Sequence, residues 1–260
     1  MSNINLYWWR PPGIVKRILK KRYRHMKSNF GDELSRVIVE KVIGETVGRA
    51  KQSDENKLLA LGSIMHFAKD GDTIWGTGIN GKMVNRETPS INALSVRGPL
   101  TRDVLLKQGI ACPELYGDPG LLMSRYFKVT PTGKRPYGIV PHFSEMDHDS
   151  LKKYKNEIIN PCDNHTKVVQ EIVNCELVVS SSLHGIVIAE SYGIPAVLLR
   201  ITENEPIFKY SDYYQGSGRS NYVFANTVAS ALSKSPVELP DLSNITIDEE
   251  LRNWAKRKKK

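Results

Sequence analysis

The chain has 260 residues, 40% of them hydrophobic and 25% charged, enough to bury a large core in one domain or in two smaller α/β units. No apolar run approaches the roughly 18–20 residues needed to span a bilayer, and residues 1–10 lack a secretory pattern, so a cytoplasmic protein is expected. The net charge of +9 is concentrated in two places: eight basic and no acidic residues over 10–27, and five basic residues over 256–260.

Such patches on a near-neutral body fit a polyanionic surface partner, with anionic lipid headgroups one candidate and nucleic acid another. No RNA-binding module with interleaved aromatics and no helix-turn-helix signature is present, which argues against nucleic acid. For the C-terminal run the bland alternative is a solvated tail. The three cysteines, Cys112, Cys162 and Cys175, are widely spaced with no C-x-x-C, so isolated semi-buried thiols are expected rather than disulfides or a zinc site.

Taken in chain order, residues 4–8 read as a short strand. Asn-Phe-Gly-Asp at 29–32 introduces a helix over 33–43, with Leu34, Val37, Ile38 and Lys41 at helical spacing. Strands are expected over 58–64, 73–75 and 92–96. Pro99 sits in the first turn of a helix that runs to about Gln108, where Gly109 ends it. A short strand over 114–116 leads to the turn Gly-Asp-Pro-Gly at 117–120.

The second half repeats this alternation, with strands over 137–140 and 157–159 and helices over 150–154 and 165–174. The breaker-rich stretch 131–136 is the best linker, dividing the chain into residues 1–130 and 131–260. The expected architecture is α/β: two Rossmann-like halves facing each other across a central cleft.

The most informative stretch is 176–199. A buried strand over 177–180 leads through Ser181 and Ser182 to a helix that opens at His184 and stops at Gly193, and a second strand follows over 196–199. A strand–turn–helix of this kind presents hydroxyls, free backbone N–H groups and an imidazole at the C-terminal edge of a parallel sheet, where open α/β sheets bind anions. His184, Ser181, Ser182 and Gly185 are therefore candidates for the site.

Other motifs are weighed against plainer readings. Gly-x-Gly-x-x-Gly at 76–81 follows a strand, but about nine residues separate it from the next one, fewer than a βαβ crossover needs. Pro89 interrupts them too, so a nicotinamide or flavin cofactor is not expected, and a tight loop bringing backbone close to a ligand is the better reading. Arg97 and Arg102 flank a strand end and a helix start, a placement that makes sense if an anion lies between them; the alternative is a surface salt bridge to Asp103 or Glu87. Asp118 is either a base or hydroxyl-orienting group, or simply a helix cap. His142 lies just past a strand and faces the cleft in the two-lobed arrangement, but its neighbours Asp147, His148 and Asp149 lack ligand spacing, so no metal is expected. The aromatic and hydroxylated segment 208–219 suits sugar rings, with Lys209 and Arg219 able to hold an anion; an interface helix is the alternative.

In order, the phrases Asn-Phe-Gly-Asp (29–32), Ser-Val-Arg-Gly-Pro-Leu-Thr-Arg (95–102), Tyr-Gly-Asp-Pro-Gly-Leu-Leu (116–122), Val-Pro-His-Phe (140–143), Ser-Ser-Leu-His-Gly (181–185) and Phe-Lys-Tyr-Ser-Asp-Tyr-Tyr (208–214) resemble the polysaccharide pyruvyl transferase family. The resemblance spans roughly residues 4–220 and is nearest to the exopolysaccharide ketal-pyruvate transferases. It implies a GT-B-like fold of two Rossmann-like lobes, and transfer of pyruvate from phosphoenolpyruvate to a sugar hydroxyl pair as a cyclic ketal. No cofactor is implied beyond that donor.

Carried onto this chain, the resemblance makes His184 the general acid or a phosphate ligand and gives Asp118 and His142 acceptor-side roles. It places Arg97, Arg102, Ser181, Ser182, Gly185, Lys209 and Arg219, with Asn29 and Asp32, among the substrate-binding residues. Many members carry arginine two residues before the histidine; Ser182 stands there in this chain, so Arg97, Lys209 or Arg219 must supply the charge. The donor brings about two to three negative charges to be offset. A helix N-terminus lowers the histidine pKa and a bound dianion raises it, which together would poise the imidazole near neutrality.

An acceptor linked to a polyprenyl diphosphate would place the enzyme at the inner membrane face, held by the basic arm and tail at about 1 kcal/mol per residue. Two rival readings are a nucleotide-sugar glycosyltransferase of polysaccharide biosynthesis and a non-catalytic lectin-like or scaffold subunit.

Overall fold

The computed structural model describes residues 4–10 and 28–259. It contains two all-parallel sheets. The first has five strands, β1 (Asn5–Tyr7), β2 (Gly48–Arg49), β3 (Leu58–Leu59), β4 (Thr73–Trp75) and β5 (Asn92–Ser95), in the order β2-β1-β3-β4-β5. Its register pairs Leu6 with Leu58, Leu58 with Thr73 and Ile74 with Ala93, with a shift between Ile74 and Trp75. The second has four, β6 (Gly138–Val140), β7 (Val178–Ser180), β8 (Ala196–Leu199) and β9 (Phe224–Ala225), in sequential order. Strands β6, β7 and β8 are buried along their whole length, as expected for a parallel sheet covered on both faces.

Most helices lie between strands, as parallel crossovers require, and two follow the last strand. Helix α1 (Phe30–Ile43) begins three residues earlier than its apolar spacing indicates, because the Asn29 side chain caps the N–H of Gly31. Its first turn therefore includes Asp32. Helix α2 (Pro99–Lys107) follows β5, and α3 (Met123–Tyr126) is a single turn. In the second half, α4 (His165–Val173) buries Val168, Val169, Ile172 and Val173, the four positions its spacing indicates. Helix α5 (Leu183–Ser191) is buried at every position except His184, an all-round apolar helix sunk into the core. Helices α6 (Phe208–Gly216) and α7 (Val228–Leu232) complete this half.

Several expected elements are shorter than their apolar runs. Strand 58–64 is reduced to β3, because the chain turns away at Ala60 and delivers Gly62 to Ile64 to the edge of the sheet. Strands 114–116 and 157–159 are each a single bridge, Val96 with Tyr116 and Ile139 with Ile158, and 150–154 lies in a 3₁₀ helix.

A boundary at 130/131 separates the two sheets but not the packing. The main apolar cluster joins Leu34, Leu61 and Leu121 of the first half to Ile186 and Val187 of the second. The last helix, α8 (Ile247–Arg257), also leaves the second half and docks on the first. There Trp75 Nε1 donates to the Ile247 carbonyl at 2.7 Å, and Asp248 receives Arg125 at 3.1 Å and the Tyr126 hydroxyl. The residues of 256–259 are exposed at the end of this docked helix, and Lys259 pairs with Glu45. Most of the basic arm, 11–27, lies outside the described residues. Among the described residues no helix is long and apolar enough to cross a membrane.

Candidate active site

In a parallel sheet every strand ends on the same edge, and in this chain the loops leaving both sheets at that edge line one cavity of about 300 Å³. From the first sheet come Trp9 after β1, Ser63 and His66 after β3, and Asn80 and Lys82 after β4. The second sheet contributes His142 and Phe143 after β6, Ser182 and His184 after β7, and Glu205 and Lys209 after β8. Asn29 and Asp32 close one wall from the start of α1.

The histidine sits where the sequence places it. Its ring stands edge-on to Phe30, with centroids 6.2 Å apart, and its Nε2 is buried with no hydrogen-bond partner among the described residues. Burial, followed by the positive charges of Lys209 and Arg97, lowers its pKa to about 3, so the imidazole of the unliganded protein is neutral at pH 7. Helix α5 starts at the cavity with no side-chain cap, leaving its first-turn N–H groups to a ligand or water.

Gly31 makes the ring's position possible. A Cβ there would lie 2.0 Å from His184 Nδ1. Gly31→Ala is expected to cost about 1–3 kcal/mol by overpacking and to push the imidazole out of place. Activity should fall further than the drop in thermal midpoint accounts for; a variant with wild-type turnover would show that the ring position is not critical.

Asp32 lies beside the histidine. It is 5% exposed, and burial, followed by the charge of Glu33, raises its pKa to about 8. The positive end of α1 favours the anion by only about 0.3–1 kcal/mol, too little to offset that burial. The carboxyl therefore keeps its proton at neutral pH.

The cationic wall is a fork held by one carboxylate. Glu205 receives Lys209 Nζ at 2.6 Å and Lys82 Nζ at 3.0 Å, with His142 Nε2 at 4.0 Å. Burial alone would raise the Glu205 carboxyl, but Lys209, His142 and Lys82 outweigh it and hold it near about 2. An apolar part of the lining adjoins this wall, where Phe143 packs on His142 with ring centroids 4.3 Å apart and stacks with Trp9 at 6.1 Å, planes 21° from parallel.

The cavity thus gathers Asn29, Asp32, His142, Ser182, His184 and Lys209. The other expected site residues are engaged elsewhere. Arg97 and Arg102 do not hold an anion between them. Arg97 is fully buried and donates to Asp212 at 3.0 Å, to Ser63 Oγ at 2.6 Å and to the Ile79 carbonyl at 3.0 Å, while Arg102 Nε donates to the Cys112 carbonyl. Neither Asp103 nor Glu87 is the partner of Arg97. Arg219 forks onto Glu190 at 2.8 and 2.7 Å and lies over the rings of Tyr213 and Tyr214, an internal ion pair rather than an anion clamp.

Asp118 caps the 3₁₀ helix Pro119–Leu122 by accepting from Gly120 N at 2.9 Å, the plainer of its two readings. Burial raises it to about 6. Ser181 faces inward, donating to Glu145 at 2.5 Å and accepting from His142 N at 2.8 Å. Gly185 serves packing, since a Cβ there would lie 2.3 Å from Ser180 Oγ. The glycine-rich loop 76–81 does likewise: a Cβ on Gly78 would strike the Arg97 guanidinium and one on Gly81 would strike Pro206, while Asn80 and Lys82 are the residues that reach the cavity.

Sequence reasoning missed Glu205, Lys82, Trp9 and His66. The i, i+4 spacing of Glu205 and Lys209 was a visible sign of a pair; nothing local marked the other three. The three cysteines are buried and unpaired, and burial raises each thiol to about 11, so they are poor nucleophiles.

A family model described as polysaccharide pyruvyl transferase matches residues 51–203. Among curated proteins, uncharacterized protein L143 of Acanthamoeba polyphaga mimivirus is 27% identical over 240 residues, covering 85% of this chain and 81% of that one. Succinoglycan biosynthesis protein ExoV of Rhizobium meliloti is 26% identical over 223 residues, covering 79% of this chain and 68% of its own. Among solved structures, a functionally uncharacterized protein of Klebsiella pneumoniae aligns at 12% identity with a TM-score of 0.47, covering 82% of this chain and 87% of that one.

Proposed function

The chain belongs to the polysaccharide pyruvyl transferase family, and on that footing we propose that it transfers pyruvate from phosphoenolpyruvate to a hydroxyl pair of a polysaccharide or lipid-linked oligosaccharide, forming a cyclic ketal. The observation that carries this reading is the conjunction, in one cavity, of an unpartnered histidine, the uncapped N-terminus of α5 and the Lys82–Glu205–Lys209 fork. An enol phosphate bearing a carboxylate needs anion contacts at two points, and the two ammonium groups and the helix start offer them. Glu205 offsets one ammonium charge in the unliganded protein and holds both lysines toward the cavity.

The stacked Trp9–Phe143 pair supports the acceptor side. An aromatic face suits the apolar C–H face of a sugar ring while its hydroxyls turn toward the polar wall. ExoV is named as a succinoglycan biosynthesis protein, and we carry over to this chain a role in building a surface polysaccharide. In this reading the halves 1–130 and 131–260 are GT-B-like lobes around the cavity. The exposed basic residues of 256–259, with the arm, rest on the anionic inner membrane face where a polyprenyl-linked acceptor would lie.

Incubation with phosphoenolpyruvate and a panel of glycosides carrying free hydroxyl pairs is expected to release phosphate. The glycoside should gain the mass of pyruvate less one water. Turnover of a nucleotide sugar in place of phosphoenolpyruvate would overturn the reading in favour of a glycosyltransferase.

A further inference from the structure

Gly62 has φ +104°, a backbone conformation that side chains rarely adopt, and it leaves a small gap beside the cavity. A carbon in the Cβ position of this residue would lie 3.5 Å from Asp32 Oδ1, 3.5 Å from His184 Nε2 and 3.7 Å from Ile64 Cγ2. Two polar atoms from different halves of the chain therefore converge on one carbon-sized spot. Among the described residues His184 Nε2 is buried and has no hydrogen-bond partner, and the Asp32 carboxyl, which lines the cavity, is reached by no hydrogen bond or ion pair. Holding a desolvated carboxyl and an unpartnered imidazole around one spot at the cavity costs stability, and groups kept at such a cost are candidates for chemistry.

We propose that Asp32 is the acid that protonates the methylene carbon of the donor and that His184 is the base that takes the proton of the attacking sugar hydroxyl. This assignment rests on the donor named above. The carboxyl proton of Asp32 passes to C3 as the C2–C3 π pair forms the new C–H bond, leaving C2 electrophilic and Asp32 a carboxylate. The first sugar oxygen then bonds to C2 and its proton goes to His184 Nε2. Phosphate departs with the C2–O electron pair and takes that proton from His184. The second sugar oxygen bonds to C2, and its proton returns to Asp32. Donor and diol become ketal and hydrogen phosphate, and both side chains end as they began.

The electrostatics agree with the division of labour. The free protein holds Asp32 protonated and His184 neutral at pH 7, the states in which the first two steps begin, and the bound donor's negative charge raises the imidazole toward the range in which it accepts a proton. Among the described residues, the charged and titratable groups facing Asp32 are Glu33 on its own helix, Tyr7 from β1 and His184 from α5. None of them is a cation that would hold the carboxylate form.

Wild type, Asp32→Asn and Asp32→Glu, with phosphoenolpyruvate as the probe, test the assignment. The asparagine variant is expected to bind phosphoenolpyruvate by calorimetry as wild type does. With a glycoside acceptor its phosphate release should be lower by at least about 10²-fold, partly restored in the glutamate variant. A second readout needs no turnover. The folded protein keeps the Asp32 proton up to about pH 8, whereas the unfolded chain releases it near 3.8, so wild type loses this contribution as pH rises between those values. The thermal midpoint of D32N relative to wild type should therefore climb from pH 4 to pH 8.

Wild-type turnover in D32N, or a midpoint difference that does not change with pH, would overturn the role of Asp32 and leave the donor standing. Failure of wild type itself to bind phosphoenolpyruvate would overturn both.

Discussion

Replacing His184 with glutamine is expected to lower pyruvyl transfer by about 10²–10⁴-fold, the range in which loss of a positioned proton-transfer group falls. Glutamine keeps a polar tip of similar reach but cannot accept a proton near neutral pH, so the loss isolates the proton-accepting role from simple occupancy. The fold should survive. Among the described residues Nε2 makes no hydrogen bond, and the ring packs against Phe30 and Gly31, so the substitution breaks no hydrogen bond of that atom.

The same variant carries a stability signature. In the folded chain the imidazole stays neutral down to about pH 3, whereas the unfolded chain takes a proton near 6.5. The folded pKa is depressed, so the stability tied to His184 is complete above about 6.5 and is lost as pH falls toward 3. Acidification across that window should cost wild type on the order of 2–4 kcal/mol more than the glutamine variant. The comparison is made as a difference between the two proteins because Asp32, present in both, slopes the other way. Unchanged turnover in the variant, with a wild-type acid profile, would return the histidine to the core and favour a non-catalytic subunit.

Replacing Arg97 with lysine is expected to unfold the protein more readily rather than to weaken donor binding. The guanidinium satisfies Asp212, Ser63 and the Ile79 carbonyl at once, and both members of the ion pair are fully buried. Lysine supplies one point charge where a planar fork met three acceptors. Breaking a buried pair of this kind costs about 3–5 kcal/mol, which in a chain of this size lowers the thermal midpoint by roughly 10 °C. Asp212→Asn should reproduce the loss, since Asp212 also accepts from Thr101 N and Thr101 Oγ1. The alternative makes the opposite forecast: an anion clamp would leave the midpoint in place and raise the requirement for phosphoenolpyruvate. Arg97 still reaches the site through its field, as one of the two cations that depress His184.

The local motifs and the apolar runs of this chain determine a good deal by themselves. Short apolar runs bounded by turn residues read as buried strands, and those at 73–75 and 196–199 are where their residues say, whereas 114–116 and 157–159 pair through a single bridge each. The turn that ends β7 dictates that His184 stands at a sheet edge and a helix start, because strand, polar turn and helix are all encoded within ten residues. Family membership, too, was legible in the order of short phrases.

The tertiary structure decided which charged groups are available. Arg97, Arg219, Asp118 and Lys209 have similar local settings, each at a corner or on a helix beside aromatic or glycine residues. The partners of Asp118 and Lys209 are local, Gly120 N and Glu205, but the two arginines are settled by partners far along the chain: Asp212 lies 115 positions from Arg97, and Glu190 lies 29 from Arg219. A buried cation must find a carboxylate or remain at the surface, and no local pattern announces which carboxylate that will be. Asp32 illustrates the converse. Its sequence setting, the first turn of a helix, is the ordinary place for a charged aspartate, yet packing against the opposite half of the chain removes its water and leaves it a proton to give.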